Sequence, residues 1–235
     1  MCGRFTLTSD DRGWLAAELG VDPASLEELS EVVHPRFNIA PTQPHWIVRA
    51  LREDRVASAA TWGLVTHPDR AREAARFINA RAEDAERRPL YRDTFRERRC
   101  VVPADGFFEW VAGPAAARRP FWFHRPAGGL LRFAGLYAPE GAGGPGAPAT
   151  FTILTTAANE TVSPVHDRMP AILADDGAAE AWLRAADARE LRALLAPVPG
   201  AYLVARAVSP RVNHVSNDDP ACLAEVDRAV QSRLL

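Results

Sequence analysis

The stretch Arg99-Cys100-Val101-Val102-Pro103-Ala104-Asp105-Gly106-Phe107-Phe108-Glu109-Trp110-Val111 decides how this chain folds. It holds two short runs of β-branched and aromatic residues, 100–102 and 107–111, which read as strands. Similar runs follow at 121–124, 131–137 and 150–156. Upstream, 3–7, 45–50 and 55–62 read the same way, the last two joined by a turn at Arg52-Glu53-Asp54. Helical patterns lie outside this block. Ser9 stands where an N-cap would start a helix carrying Trp14, Leu15 and Leu19, and Gly20 would end it. Helices are also expected at 89–98, with Leu90 and Phe95 inward, and at 178–184 and 188–195. A strand is expected at 202–208 and a terminal helix at 222–235. Residues 141–148, rich in Gly, Pro and Ala, read as a solvated hairpin connection. No internal repeat or linker divides the chain, so 1–235 reads as a single domain. The pattern is neither a regular βαβ alternation nor an all-β sandwich. It predicts an α+β fold with a curved, largely antiparallel, barrel-like sheet core and peripheral helices.

Of 235 residues, 47% are apolar and 25% charged, ordinary values for a globular chain with a substantial core. No apolar run approaches the roughly 18 residues of a membrane span, and the N-terminus lacks a signal-peptide layout. Cys2, Cys100 and Cys222 follow neither metal-ligand nor disulfide spacing, which predicts no metal and a reducing, cytoplasmic setting. No glycine run matches a nucleotide-phosphate loop, and no cofactor is expected. All 28 basic residues are arginine. Without lysine, any imine the protein makes must take its nitrogen from the α-amine. A net charge of −2 argues against bulk, non-specific nucleic-acid binding but leaves room for a local arginine-lined groove.

Cys2 follows Met1 directly. If Met1 is removed, the chain starts with an α-amine and a thiol on neighbouring carbons. The amine titrates near ~7.7–8.0 and the thiol near ~8.5, so both are usable nucleophiles at neutral pH. Together they condense with an aldehyde, first to an imine and then to a thiazolidine. The same residue could attack an amide carbonyl as an N-terminal nucleophile. The plain alternative is an unstructured terminus.

Several dense segments accompany Cys2. They are Cys2-Gly3-Arg4-Phe5, Asn79-Ala80-Arg81-Ala82-Glu83, Ala104-Asp105-Gly106-Phe107-Phe108-Glu109-Trp110, Phe133-Ala134-Gly135-Leu136-Tyr137, His166-Asp167-Arg168-Met169-Pro170 and the stretch 208–220. In this order they resemble the SOS-response-associated peptidase family, known for covalent capture of abasic sites in single-stranded DNA. The resemblance spans nearly the whole chain. It implies a DNA–protein crosslinking enzyme with lyase-type chemistry, active in the DNA-damage response. Its partner would be single-stranded DNA bearing abasic sites. It would work as a monomer, without membrane or cofactor, in the cytoplasm and at the nucleoid when bound to damage. Met1 would be lost, by self-cleavage in the same site on one reading.

The resemblance assigns catalytic roles to Cys2, Asn79, Glu109 and His166. By pattern alone Glu109 is an outward-facing residue of an alternating strand. The alternative is a carboxyl raised by its aromatic neighbours and able to shuttle protons. His166 is either a loop histidine held by backbone or a proton-transfer group suited to opening the abasic sugar. Asn79 is either a strand-edge residue or a neutral amide that positions the Cys2 amine. Arg4 and Arg81 are expected on phosphates, with Arg36 and Arg168 as further candidates. Asn38, Pro41, Trp62 and Thr155 are expected to line the groove, Trp62 having a core alternative. His34, His45, His67, His124 and His214 read as structural or solvated. One departure is visible: Trp62-Gly63-Leu64 runs into Val65-Thr66-His67-Pro68, where family members often carry a proline and a tryptophan that wedge against bases.

Other readings remain open on sequence alone. Cys2 could serve a peptidase acting on other polypeptides, or the motifs could support a non-catalytic binder of modified DNA. A thiol protease using Cys100 is weaker, because free cysteine on a strand is commonly buried.

Overall fold

The computed structural model describes residues 2–112 and 118–226, the side chains of Ala71, Ala75, Arg76 and Ala112 aside. The N-terminal part runs β1 (Phe5–Leu7), α1 (Arg12–Leu19), α2 (Pro23–Glu28), β2 (Arg36–Ile39), β3 (Pro44–Leu51) and β4 (Asp54–Trp62). The middle runs β5 (Asn79–Arg81), α3 (Ala82–Ala85), α4 (Arg92–Glu97), β6 (Arg99–Ala104), β7 (Gly106–Ala112), β8 (Arg118–His124), β9 (Leu131–Ala138) and β10 (Thr150–Ala157). The rest comprises β11 (Arg168–Pro170), β12 (Ile172–Leu173), α5 (Asp176–Arg184), α6 (Ala188–Leu194) and β13 (Val204–Ala207). Short 3-10 turns fall at Pro68–Arg76, Gly200–Tyr202, Pro210–Asn213 and Pro220–Leu223. No helix among the described residues is long and apolar enough to cross a membrane.

The larger sheet closes on itself. β10 pairs antiparallel with β9 and parallel with β4, so β10, β4, β3, β6 and β9 form a ring. β5 joins it parallel to β10, with Asn79 opposite Ile153. The smaller sheet is antiparallel in the order β13-β8-β7-β1-β2. This is the α+β, largely antiparallel, curved architecture the sequence predicts, with the helices outside it.

Aromatic side chains join the sheets. Phe5 of β1 lies edge-on to His45 at 5.0 Å, to Trp62 at 5.1 Å and to Phe133 at 6.1 Å. Phe107, opposite Phe5 in the β1–β7 register, stacks on Phe123 at 5.1 Å. All of these rings except His45 are fully buried at 0% exposure, and His45 is at 1%. Burying a large side chain of this kind is worth roughly 1.5–3 kcal/mol. Phe5 is therefore an anchor, and it fixes where Cys2, Gly3 and Arg4 lie. The 104–106 corner supports it, because Asp105 accepts hydrogen bonds from the hydroxyls of Thr6 and Thr8 and from the Thr8 N–H. Gly106 is required there: a Cβ would stand 2.1 Å from Nε1 of Trp122.

Some local expectations change. Asp11, not Ser9, caps α1, accepting from the Trp14 N–H at 2.9 Å, while Gly20 ends it at φ 64°. The expected helix at 89–98 shortens to α4. The short strands β2, β11 and β12 were not anticipated. Residues 222–223 lie in the Pro220–Leu223 turn, and most of the expected terminal helix falls outside the described residues.

Candidate active site

Cys2, three residues ahead of β1, is fully buried. Its thiol donates to the Arg4 carbonyl at 3.5 Å, and its own carbonyl accepts from Asn79 Nδ2 at 2.7 Å. Asn79 reaches it because β5 runs parallel to β10 at the ring's edge. Asn79 Oδ1 is buried with no hydrogen-bond partner among the described residues. The amide thus grips Cys2 through its nitrogen and leaves an acceptor beside it. Burial first, and then the negative charge of Glu109, push the Cys2 thiol well above the ordinary thiol range.

Glu109 lies on β7 next to Phe108, on the opposite face of the strand, and is only 3% exposed. It is therefore not the outward-facing strand residue of the simpler reading. Burial, above all, raises its pKa from 4.5 to about 7. A carboxyl poised near neutrality can give and take protons at working pH.

His166 is half-buried in the loop between β10 and β11. Its Nδ1 lies 2.9 Å from the Arg168 N–H and 3.0 Å from Asp167 Oδ1. Both cannot be hydrogen bonds of one neutral ring. The backbone N–H can only donate, so Nδ1 is the acceptor and the ring proton sits on Nε2. Burial, above all, lowers the His166 pKa, which keeps that neutral form. Glu109 and His166 line one cleft of about 540 Å³ together with Gly3, Arg4, Pro41, Trp110, Arg118 and Asn213.

The arginines and groove residues sort less simply. Arg81 is exposed at the end of β5 and makes no ion pair among the described residues. Arg4 spends Nη1 on Asn38 Oδ1 and the Val212 carbonyl, each at 2.9 Å, and is one of the residues lining the cleft. Arg36 is tied to Asp218 and Gln43, and Arg168 holds Glu83 with both terminal nitrogens, at 2.7 and 2.9 Å. Both guanidiniums are thus committed within the protein. Pro41 does face the cleft. Three other expected groove residues lie deep in the structure. Trp62 is 0% exposed, stacks on Phe151 at 6.3 Å and donates to the Ile78 carbonyl, so it belongs to the core. Asn38 is 0% exposed and its amide donates to the carbonyls of Val212, His214 and Asn217. Thr155 is 0% exposed between Ala80 and Arg168. None of the three has surface to offer a strand.

Sequence reading missed Trp110, Arg118 and Asn213 as cleft residues. Trp110 and Asn213 sit inside quoted motifs, and a hydrogen bond of 2.7 Å from Trp110 Nε1 to Asn213 Oδ1 joins them. Arg118 has no local signal. It arrives through the β7–β8 register, opposite Ala112.

Fold and site define a class: an α+β protein of two aromatic-pinned sheets, with a buried N-terminal cysteine held by Asn79 and a cleft lined by Arg4, Glu109, Arg118 and His166. The comparisons are specific. The model of the SOS response associated peptidase (SRAP) family matches residues 1–215. The abasic site processing protein YoqW of Bacillus subtilis is 34% identical over 231 residues, covering 94% of this chain and 97% of that protein. The abasic site processing protein HMCES of Xenopus tropicalis is 28% identical, covering 84% of this chain and 68% of that protein. A crystal structure from Bacteroides thetaiotaomicron shares the fold with a TM-score of 0.81 at 23% identity, covering 96% of this chain and 100% of that one. A second, from Bordetella bronchiseptica, has a TM-score of 0.71 at 26% identity, covering 88% of this chain and 100% of that one. The chain belongs to the SOS response associated peptidase family.

Proposed function

We propose that this protein processes abasic sites in DNA, capturing them covalently in single strands through Cys2 after loss of Met1. The observation that carries the reading is the setting of Cys2. It is buried, gripped by Asn79, and within electrostatic reach of a carboxyl poised near neutrality. The names of the relatives, abasic site processing proteins, point the same way. The cleft of about 540 Å³ that Glu109 and His166 line offers room for a nucleotide beside them.

The chemistry divides among the residues. His166 assists opening of the closed sugar, which exposes the aldehyde. The Cys2 amine adds to that carbonyl carbon, and the resulting carbinolamine loses water to give an imine. The Cys2 sulfur then adds to the imine carbon while the thiol proton passes to nitrogen, closing the thiazolidine. One C=O is lost, one C–N and one C–S bond form, and one water leaves. Asn79 Oδ1 accepts from the amine without fixing it as an ammonium salt. Glu109 protonates the departing hydroxyl and relays the thiol proton. Because burial disfavours a standing thiolate, the thiol needs such a base at the moment of attack.

The test is a denaturing gel of the protein with a single-stranded oligonucleotide carrying one abasic site. The parent protein should give a slow-migrating species that survives denaturation, and an undamaged strand should give none. Cys2→Ala should abolish it. An undiminished stable species from Cys2→Ala would rule the reading out.

A further inference from the structure

Around the cleft the arginines differ in how far the protein already satisfies them. Arg36 and Arg168 are held by carboxylates, and Arg4 is partly used. Arg118 is exposed, lines the cleft beside Glu109, Trp110 and His166, and makes no ion pair among the described residues.

Its position is built. In the β7–β8 hairpin Trp110 pairs with Pro120 and Ala112 with Arg118, which puts Trp110 and Arg118 on one face. Asn213 then ties the two together. Its Oδ1 accepts from Trp110 Nε1 at 2.7 Å and its Nδ2 donates to the Arg118 carbonyl at 3.1 Å. The backbone of Arg118 is therefore fixed against the indole, while its guanidinium lines the cleft with no ion pair among the described residues. A planar fork with a fixed base and an open head suits an oxyanion with two acceptor oxygens.

We propose that Arg118 is a phosphate-binding residue of the cleft, taking a phosphodiester that flanks the abasic sugar. This rests on the DNA reading above and deepens it, because it adds a contact that holds the lesion's neighbour while Cys2 reacts. Trp110 and Asn213 act as positioning residues for it.

The experiment measures affinity for a single-stranded oligonucleotide carrying a tetrahydrofuran abasic analogue, which binds without reacting. Three versions are used: the unmodified strand, and strands with a neutral methylphosphonate at the phosphate 5′ or 3′ to the analogue. For the parent, one methylphosphonate should weaken binding about tenfold. Arg118→Ala should weaken binding to the unmodified strand by a similar factor, and the same methylphosphonate should cost it little more. The salt slope of Arg118→Ala should fall by about 0.7, the value for one phosphate contact on a single strand. Arg118→Lys should recover part of the affinity through its point charge. Losses that multiply for both methylphosphonates would overturn the assignment, and so would parent-like affinity of Arg118→Ala. Covalent capture is read separately on true abasic DNA. A parent that binds as described but never crosslinks would defeat the capture chemistry and leave Arg118 in place.

Discussion

Replacing Glu109 by glutamine should stabilise the protein at alkaline pH and leave its stability unchanged at acid pH. Glu109 is 3% exposed, and its pKa rises from 4.5 to about 7. Between those values the folded state holds a proton that the unfolded chain has released. Where the unfolded state binds fewer protons, stability falls as pH rises. The penalty is absent below the unfolded value of 4.5, grows through the interval, and is complete above about 7. One pKa unit corresponds to about 1.36 kcal/mol, so the whole penalty is roughly 3 kcal/mol. Glutamine keeps the size of the side chain and never ionises, so it escapes the penalty. Urea unfolding of both proteins at several pH values and constant ionic strength reads the difference directly. The two should coincide at about pH 4 and below, and the variant should be more stable by about 3 kcal/mol at pH ~8. Parallel stability curves across this range would refute the claim that Glu109 is held protonated by its surroundings. The same variant should slow covalent capture, since it cannot relay protons.

His166→Ala should slow capture of natural abasic sites at least about tenfold while largely sparing a strand with a pre-exposed aldehyde, because general acid–base help is worth about 10²–10⁴-fold only where the sugar must open. Equal slowing on both substrates, measured by quenched-flow capture, would place His166 at a later step. Trp62→Ala should cost about 3–5 kcal/mol in urea unfolding, as a buried aromatic removed from a core. A loss of DNA affinity with unchanged stability would instead put Trp62 in the groove. Asn38→Ala should cost about 2 kcal/mol, because the His214 and Asn217 carbonyls lose their donor and Arg4 Nη1 loses the Asn38 Oδ1 acceptor. Unchanged unfolding midpoints would show that this amide does not hold the 212–217 segment.

Much of the sheet was legible because the strands carry dense runs of β-branched and aromatic residues. The long ones, β3, β4 and β6 to β10, fall where the sequence puts them, and the shorter β13 lies within the expected 202–208. The parallel pairing of β10 with β4 and β5 was not legible, because distant chain segments set that register. The short β2, β11 and β12 are too brief for periodicity to show. At α1 two polar residues compete to cap, and only geometry shows that Asp11 reaches the Trp14 N–H while Ser9 does not. In the site, motif order brought Cys2, Asn79, Glu109 and His166 to notice, and the fold gathers them. Depth was the hidden variable. Asn38, Trp62 and Thr155 have the residue types of a groove, yet the packing of Phe151 and the 212–217 segment takes them inside. Arg118 shows the converse, since an unremarkable arginine becomes a cleft residue only through hairpin register.

The central claim concerns one residue's covalent chemistry, and a single mass measurement addresses it. The protein is reacted with a short abasic oligonucleotide, denatured, digested with protease and nuclease, and its N-terminal peptide is weighed and fragmented. The account predicts a peptide beginning at Cys2, without Met1, that carries the sugar remnant less one water, with both the α-nitrogen and the sulfur blocked. A remnant found on another residue, or capture by protein that retains Met1, would contradict it.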